Sequence, residues 1–450
     1  MENGEILSIV LENITKVSFR DLAELKGEDS KLFDKHYLIH TVEQVLKIAN
    51  EKGYSLAIYQ GCIYAYNGAC WNLLEDDDLK SFLGQSALQM GVNKHDAKFY
   101  KFRDSLLRQF YCLGKLSRKV IESDTVLINL KNGTYEISPK EKQLRAFKSE
   151  DFMTYQLPFN YDSTATAPQF QTYLDRVLPE KELQKILAEY IGYVFIRHLK
   201  LEKVLLLFGS GANGKSVFFE IVNALLGEQN VSNFSLYSLN EPSYRAKLAN
   251  KLLNYGSEIK GSLESDTFKQ LASGEPIEAK MLYKDPFTMR DYAKLLFNCN
   301  ELPKDVEHNE AYFRRFLIVP FEVTIPFEER DSELPKKIIK TELSGVFNWV
   351  LLGLERVLEQ KKFTQNDKVN KYLDRYKMES DSVAMFLEDE GYRKSASEFI
   401  ILSNLYLEYK NYCTGSGFNA LNLKNFKARL ESQKITIQRR ANGHGVYVSK

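Results

Sequence analysis

The sequence predicts an α/β protein in which a parallel sheet flanked by helices forms the core. An α+β domain is expected before this core and a winged-helix-like domain after it. Three patterns support this fold class. A buried-strand pattern runs into a glycine-rich loop and an apolar helix between Val204 and Leu226, an alternation typical of α/β folds. Short β runs joined by turns occur within residues 55–137, and helices followed by a hairpin end the chain after residue 380.

Length and composition limit the class of protein. The chain has 450 residues, enough for about two to four ordinary domains. Hydrophobic residues make up 44% and charged residues 27%, a balance that excludes general disorder. The net charge is only +1, so a nucleic-acid surface would have to be local. The most apolar stretch, Tyr190 to Phe208, is interrupted by charged residues, which argues against a membrane span.

The cysteines and the amino terminus indicate where the protein works. Five cysteines occur, none in C-x-x-C spacing, at positions Cys62, Cys70, Cys112, Cys299 and Cys413. This pattern argues against a disulfide framework or a zinc ribbon. The first 30 residues contain neither a basic start nor an apolar core of about 7–15 residues typical of a signal peptide. We therefore expect a reduced, cytoplasmic protein with no membrane association. His198 and His308 have no metal-ligand spacing and are interpreted as structural or surface groups.

The amino-terminal part is predicted as a helical segment, residues 1–50, followed by an α+β accessory domain, residues 51–165. Two short β runs lead to the Asn67-Gly68 turn before Trp71, which indicates a hairpin. Helical patterns follow over Asp78–Met90 and Ala97–Val120. A second hairpin is predicted around the Asn132-Gly133 turn.

A loop rich in Ser, Thr, Ala and Pro, residues 162–168, marks the predicted domain boundary. The remaining chain divides into a helical collar or linker (166–200), the α/β core (201–330), a helical extension with a polar linker at 361–371 (331–379) and the winged-helix-like domain (380–450). In the last of these, helices are expected over Ser382–Asp389, Ser397–Tyr412 and Lys424–Ser432, and a hairpin turn around Gly443-His444-Gly445.

One motif carries a specific chemistry. The segment after the buried strand reads Gly209, Ser210, Gly211, Ala212, Asn213, Gly214, Lys215 and Ser216, and then Val217 begins an apolar run. It matches G-x-x-x-x-G-K-[ST] with a strand before it and a helix after it, as a phosphate-binding loop requires. Backbone N–H groups and the helix amino terminus would hold the phosphates of ATP. Lys215 would reach the β- and γ-phosphates, and the Ser216 hydroxyl would bind Mg²⁺. A ligand-free glycine turn is the weaker alternative.

Further along the chain, polar residues follow strand patterns. Glu258 ends a strand pattern 42 residues after Ser216 and could orient the attacking water and help to hold Mg²⁺; alternatively it is a surface residue. Asn300, or alternatively Asn298, could hold the water or the γ-phosphate from the tip of another strand. Arg314 and Arg315 precede a β run. An arginine reaching a neighbouring subunit's γ-phosphate would neutralise transition-state charge, although the pair could equally bind surface carboxylates.

These motifs, in this order, resemble the superfamily 3 helicases of phages, plasmids, phage satellites and poxviruses, which are AAA+ ATPases often fused to primases. The similarity includes the loop at 209–216, Glu258, the segment 268–277, Asn300-x-Leu-Pro303 and Arg314-Arg315, and extends upstream to the Tyr64-to-Trp71 region. It covers about residues 50 to 365. A second acid beside Glu258 is absent, since Ser257 stands there, and the 50 residues before the accessory domain are too few for a primase domain. Any primase would be a separate chain.

The resemblance implies a hexameric ring around single-stranded DNA. ATP would be hydrolysed between subunits, with Lys215 and Ser216 in cis and Arg314 or Arg315 in trans; Arg315 is preferred. It also implies a pore hairpin between Glu258 and Asn300. Lys280 and Lys284 would contact DNA phosphates there, and Tyr283 could stack on a base or pack below the tip. The alternative for this stretch is an ordinary surface turn.

Local positive charge lies at the carboxyl end. Residues 420–450 contain seven basic residues and one acid. Lys424 and Lys427 lie on a predicted helix and Arg439 and Arg440 on a predicted wing, an arrangement that suits duplex DNA. A solvated face that supports ring assembly or a partner protein is the alternative.

Taken together, the motifs predict an ATP- and Mg²⁺-dependent DNA helicase or replication initiator of a mobile genetic element. Its expected partners are single-stranded and duplex DNA and further copies of the chain, with a separate primase or host replication proteins as further candidates. Two alternatives remain: an ATPase that binds and melts an origin without processive unwinding, and a nucleotide-bound DNA-binding scaffold. Glu258, Asn300 and the arginine pair argue against the scaffold, which needs no hydrolytic groups.

Overall fold

The computed structural model describes residues 3–26, 31–59, 61–116, 124–139, 141–257, 264–281, 285–303, 306 and 308–450. The chain forms two compact units, Met1–Asp162 and Ser163–Lys450. They divide within the loop at 162–168 that separates the predicted domains. Among the described residues, no helix is both long and apolar enough to cross a membrane.

The first unit combines helices with two antiparallel sheets. Its elements are α1 (Asn3–Glu12), α2 (Phe19–Leu22), α3 (Asp34–Glu51), β1 (Ser55–Tyr59), β2 (Cys62–Tyr66), β3 (Trp71–Leu74), α4 (Asp76–Met90), α5 (Lys94–Lys98), α6 (Tyr100–Leu113), β4 (Val126–Leu130), β5 (Gly133–Ile137) and β6 (Lys142–Arg145). The sheets have the orders β1-β2-β3 and β4-β5-β6. Helices α1 and α3 share one apolar core with α4 and α6, so both of these amino-terminal helices pack as part of this unit.

The second unit begins with two helices and a mostly parallel α/β region. Its elements up to the last strand of this region are α7 (Pro168–Val177), α8 (Lys181–Tyr193), β7 (Val204–Phe208), α9 (Lys215–Leu226), β8 (Val231–Ser232), α10 (Pro242–Ala246), β9 (Leu253–Gly256), α11 (Ser265–Ser273), β10 (Ile277–Lys280), β11 (Pro286–Met289), β12 (Lys294–Cys299), α12 (Glu310–Phe313) and β13 (Phe316–Pro320). The parallel sheet has the order β13-β7-β12-β9-β8. Strands β7 and β13 are continuous apolar runs because both faces of a parallel sheet are covered.

Helices complete this unit, followed by a small mixed region. These elements are α13 (Leu334–Thr341), α14 (Leu343–Gln360), α15 (Asp367–Glu379), α16 (Ser382–Asp389), β14 (Arg393–Lys394), β15 (Ile400–Ile401), α17 (Leu402–Ser416), α18 (Leu423–Ser432), β16 (Ile437–Arg440), β17 (Gly443–Val446) and β18 (Val448–Ser449). Strands β15, β17 and β16 form one antiparallel sheet. Arg440 pairs with Gly443, so the turn is Ala441-Asn442, and Gly443 to Gly445 lie in β17 instead of forming the predicted turn.

The collar helix α8 crosses α14 at close range. A Cβ on Gly353 would stand 2.3 Å from the carbonyl oxygen of Ala188, so only glycine fits there. Beside this crossing, the fully buried carboxylate of Glu189 accepts hydrogen bonds from Arg356 Nε at 3.0 Å and from the Thr364 backbone N–H at 2.7 Å. The predicted linker at 361–371 is wrong in its second half, because helix α15 begins within it. Asn366 caps α15 by accepting from the Val369 N–H at 3.1 Å, and the helix begins at Asp367.

Candidate nucleotide-binding site

The glycine-rich loop connects β7 to α9, as its motif requires. Gly211, Ala212 and Gly214 have φ angles of +110°, +51° and +86°, and Gly214 is the N-cap residue of α9. Glycine, which occupies two of these three positions, adopts positive φ angles without steric cost. A Cβ on Gly209 would stand 2.5 Å from the carbonyl oxygen of Phe321, so this position also requires glycine. The loop therefore brings backbone groups and the positive end of α9 to one place.

Lys215 is the central side chain of this loop. Its Nζ donates to the Gly209 carbonyl at 2.5 Å, to Asn213 Oδ1 at 3.2 Å and to Asn300 Oδ1 at 3.0 Å. Desolvation by burial lowers the pKa of its ammonium group from the ordinary value. The same Asn213 side chain donates from Nδ2 to Phe321 O at 3.0 Å, which fixes the loop against the end of β13. The positively charged Lys215 side chain thus lies at the amino terminus of α9, an arrangement suited to binding phosphate.

Strand β12 lies between β7 and β9, so its carboxyl end meets the glycine loop. Asn300 is exposed there and contacts Lys215. Asn298, the alternative from the sequence, is buried and accepts a hydrogen bond from Tyr255 OH at 3.0 Å. Cys299 between them is buried, which raises the pKa of its thiol to about 12. The geometry therefore favours Asn300 over Asn298 as the residue that faces a ligand.

An open pocket of about 1620 Å³ surrounds the loop. Its lining includes Lys215, Ser216, Ser257, Asn300, Tyr173 and Phe327. Ser216 is exposed toward this space. Glu258 lies outside the described residues, but Ser257, the residue before it, lines the pocket just after β9.

Helix α7 supports the loop from one side, which the sequence analysis did not predict. Tyr173 OH donates to the carbonyl of Gly214 at 2.8 Å, and Tyr173 is buried. Glu342 holds the start of α7 by accepting from the backbone N–H groups of Gln169 and Phe170 at 3.1 and 3.0 Å. Glu342 and its two partners on α7 are more than 170 residues apart in sequence, so no local pattern could have revealed these contacts.

A second connection reaches the loop from the segment after β13. The Ile325 N–H donates to the carbonyl of Ala212 at 2.8 Å. Glu329, in this same segment, forms an ion pair with Arg176 of α7. The pocket is thus bounded by α7 on one side and by residues 325–334 on another.

The two arginines before β13 have different environments. The Arg314 side chain is 55% exposed and its Nη2 lies 2.9 Å from Oε2 of Glu202. The Arg315 side chain is 8% exposed. Its Nη2 donates to Ser273 Oγ at 3.0 Å, and its Nη1 donates to the Ala311 carbonyl. Arg314 is therefore the more accessible of the two, and the preference for Arg315 drawn from the sequence does not fit its burial.

The predicted pore hairpin corresponds to β10 and β11. These strands pair antiparallel, and exposed Lys280 lies opposite Pro286 at the end of the ladder next to the residues that connect the two strands. Tyr283 and Lys284 lie outside the described residues. Arg245 anchors the hairpin, because its Nε donates to the carbonyl of Glu278 at 3.0 Å and its Nη1 to that of Leu239 at 3.0 Å.

The predicted basic residues near the carboxyl terminus are not equivalent. Lys424 and Arg439 are exposed, and neither side chain makes an ion pair or hydrogen bond with the described part of the chain. Lys427 lies 3.9 Å from Glu431 one turn along α18. Arg440 packs over the rings of Phe399 and Tyr447, with centroid distances of 5.2 and 5.6 Å. Lys424 and Arg439 are thus the residues most available to a polyanion.

In the part of the chain that the structure describes, no group of three or more His, Cys, Asp or Glu side chains could hold a metal ion. Glu258, the other candidate metal ligand from the sequence, lies outside the described residues, and the Ser216 hydroxyl faces the pocket where it could hold a cation together with phosphate oxygens and water. Mg²⁺ fits such a set, because it keeps several waters and is bound largely through substrate phosphates in nucleotide sites.

Two family models match parts of the chain. Residues 46–179 match the family described as D5 N terminal like, and residues 207–315 match a family of unknown function, DUF5906. The chain is 24% identical over 340 residues to "Putative helicase 121R" of Invertebrate iridescent virus 3, an alignment that covers 66% of this chain and 36% of that protein. It is 23% identical over 366 residues to "Putative helicase L207/L206" of Acanthamoeba polyphaga mimivirus, covering 73% and 37%.

The chain is thus similar to viral proteins that are named as helicases, and it spans about a third of the length of those relatives. Among solved structures, the apo form of the NrS-1 C-terminal region aligns with a TM-score of 0.46 and 10% identity, covering 90% of this chain and 97% of that one.

Proposed function

We propose that this chain is an ATP-dependent DNA helicase, or the motor part of one, that acts in replication of a viral or other mobile genome. The observation that carries the proposal is the contact of Lys215 Nζ with Asn300 Oδ1 at 3.0 Å. It joins the phosphate-binding loop to a polar strand tip, and a polar group there can orient water beside a γ-phosphate. The viral relatives named as helicases support DNA unwinding as the use of the hydrolysis.

The sheet order supports an AAA+ type of core. The strand before the loop, β7, is separated from β9 by β12. The position of β12 between β7 and β9 places Asn300 beside the loop, and the carboxyl end of β9 faces the same pocket. Glu258, which follows β9 by two residues, is proposed as the group that activates water, since Ser257 already lines the pocket.

ATP would lie with its phosphates on the loop and the start of α9. Lys215 would exchange its protein acceptors for β- and γ-phosphate oxygens, and its desolvated ammonium would neutralise their charge strongly. Ser216 would contribute its hydroxyl to Mg²⁺, which would supply charge neutralisation across the phosphates. Tyr173 and Glu342 would hold the loop in position from α7.

A second subunit would complete the site. Arg314 is proposed as the arginine that reaches a neighbour's γ-phosphate, because its guanidinium is exposed and tied to the chain by one exposed ion pair. This arrangement requires an oligomer, and a hexameric ring is proposed in line with the family that the sequence resembles. The hairpin β10–β11, with Lys280 at its edge, is proposed to contact single-stranded DNA.

The region after Asp381 is proposed as a winged helix that contacts duplex DNA. Its order is helix, strand, two helices and a hairpin, α16-β15-α17-α18-β16-β17, with β15 paired to the hairpin. Exposed Lys424 and Arg439 support contact with phosphates. This basic region also favours the alternative function, an ATPase that binds and melts an origin without processive unwinding.

The deciding experiment measures ATP hydrolysis with and without single-stranded DNA, beside strand displacement, for the wild type and Lys215→Ala. Lys47→Ala is the matched control, because Lys47 is an exposed lysine of α3 in the first unit. The proposal predicts hydrolysis and displacement that Lys215→Ala abolishes and Lys47→Ala preserves. DNA-dependent hydrolysis without displacement would favour the origin-melting alternative, and absence of hydrolysis would contradict both.

A further inference from the structure

Two aromatic rings are exposed side by side in the first unit. Phe99 is 50% exposed and Tyr100 is 63% exposed, at the junction between α5 and α6. Their ring centroids lie 5.1 Å apart with an interplanar angle of 66°. The next aromatic residues on α6 behave differently: Phe102 packs against the core and Phe110 is fully buried. The core of this unit is thus supplied by other side chains, and the exposed pair is available for a ligand.

Three lysines lie close to the two rings along the chain. Lys94 and Lys98 are one turn apart on α5 and so share a face, and Lys101 follows Tyr100 on α6. All three are exposed, and none forms a hydrogen bond or ion pair through its side chain within the described ranges of the chain. We call Lys94, Lys98, Phe99, Tyr100 and Lys101 the aromatic–basic patch.

Nearby acids do not cancel this charge. Asp96 lies two residues from both Lys94 and Lys98, which on a helix places it on a different face. Asp104, on α6, is paired with Lys80, whose Nζ lies 3.1 Å from its Oδ1. The aromatic–basic patch therefore keeps a local positive charge on a protein whose net charge is only +1.

The junction is held in a defined shape. Asn93 caps α5 by accepting from the His95 N–H at 2.8 Å. The Phe99 N–H donates to the Asp96 carbonyl at 3.0 Å, and Arg103 Nε of α6 donates to the Ala97 carbonyl of α5 at 3.1 Å. These hydrogen bonds connect α5 to α6, so the backbone that carries the two rings is held in one conformation. A preorganised surface loses less entropy when it binds.

We propose that the aromatic–basic patch is a binding site for single-stranded DNA. Bases stack on Phe99 and Tyr100, and the lysines contact the phosphates on either side. Stacking on aromatic rings beside a positive surface is the usual mode of sequence-tolerant single-strand binding. Duplex DNA hides its base faces within the helix, so exposed rings favour the unpaired strand. The site shares no residue with the lining of the nucleotide pocket, and the proposal does not depend on ATP hydrolysis.

The test measures binding of a fluorescent oligothymidylate to the full chain, without nucleotide, by anisotropy. Phe99→Ala and Tyr100→Ala together should raise the dissociation constant about five-fold or more, because each stacked base contributes measurably to affinity. Phe99→Trp should preserve affinity, because a larger ring still stacks. Phe33→Ala is the matched control, since Phe33 is 59% exposed in the same unit with a lysine over its ring.

Two further readouts separate stacking from a general loss of structure. Lys98→Ala and Lys101→Ala should each reduce the salt slope of single-strand binding by about 0.7. Photocrosslinking of a 5-iodouracil oligonucleotide, mapped by mass spectrometry, should label Phe99 or Tyr100. An unchanged dissociation constant for the double alanine variant, an equal loss in Phe33→Ala, or crosslinks confined to other residues would overturn the proposal.

Discussion

Arg314 and Glu202 form an ion pair in the second unit, with Nη2 of the arginine 2.9 Å from Oε2 of the glutamate. The same carboxylate lies 3.4 Å from Nη2 of Arg315. One glutamate therefore contacts two neighbouring arginines, of which one is exposed and the other is anchored inside the protein by Ser273. If one of the two acts on a neighbouring subunit, as proposed, this difference in exposure favours Arg314.

Arg314→Ala should leave nucleotide affinity nearly unchanged and lower ATP turnover by about 10³-fold or more, the effect of removing an arginine finger. Arg315→Ala should instead lower the free energy of unfolding by about 1–3 kcal/mol, because buried partners lose their hydrogen bonds. Turnover per folded molecule and chemical denaturation, measured on both variants, test this assignment. Full turnover in Arg314→Ala would contradict it.

Glu202→Gln is the matched control for the arginine variants. It removes the exposed ion pair and leaves Arg314 in place, so the free energy of unfolding should change by less than about 1 kcal/mol. Mixing Lys215→Ala with Arg314→Ala chains should recover part of the lost hydrolysis, since some shared sites then contain both intact residues. No recovery in the mixture would argue against action between subunits.

Tyr173→Phe should weaken binding of an ATP analogue about two- to ten-fold, because the hydroxyl that holds the Gly214 carbonyl is lost. Calorimetric titration measures this change. Tyr155→Phe is the matched control, because its hydroxyl also donates to a backbone carbonyl, that of Leu127 at 3.0 Å, but within the first unit. An equal loss of affinity in both variants would mean that Tyr173 does not act through the loop.

Lys294, at the start of β12, predicts a pH dependence of stability. Burial, together with repulsion from Arg197 and Lys200, lowers the pKa of its ammonium group to about 8. The unfolded value is about 10.4, so between these two values the unfolded chain binds more protons than the folded one. The contribution of Lys294 to the free energy of unfolding therefore rises with pH over this window, by at most about 1.4 kcal/mol per pH unit.

Lys294→Met removes this dependence. Denaturant unfolding of both proteins from pH 7 to pH 9.5 should show the wild type gaining stability relative to the variant above pH 8. Below that pH the difference should be constant, because the lysine is then protonated in both states. A difference that stays constant across the whole range would contradict the assignment.

Lys424→Ala and Arg439→Ala should each lower the salt slope of duplex binding by about 0.9, since each would remove one phosphate contact. Arg440→Ala should act through stability of the hairpin, because that side chain packs over Phe399 and Tyr447. Anisotropy with a duplex at several salt concentrations separates these effects. Unchanged slopes in the first two variants would remove this face from DNA contact.

Local patterns explain which features the sequence could predict. Strand β7 is predicted with the bounds that the structure shows, because an apolar run leads directly into a glycine motif, whereas helix α9 begins at Lys215, two residues before the predicted start at Val217. Asn300 was predicted as a strand tip, and its contact with Lys215 agrees with that placement.

Features that depend on distant contacts were missed or misjudged. The order β13-β7-β12-β9-β8 and the support of the loop by Tyr173 and Glu342 require partners far apart in sequence. Burial of Arg315 depends on Ser273, which only the folded chain brings close. The predicted helix over Ala97–Val120 is interrupted because Phe99 is extended, with a ψ of 130°. Neighbouring residues fit a helix, so periodicity alone could not reveal that break.

The most direct test of the central claim is strand displacement on forked DNA with opposite single-stranded tails, with ATP, for the wild type and Lys215→Ala. The proposed motor predicts displacement of one fork type by the wild type and none by Lys215→Ala, whose loop cannot neutralise the phosphates. Displacement that persists in Lys215→Ala, or no ATP-dependent displacement of either fork by an oligomeric wild type, would contradict the account.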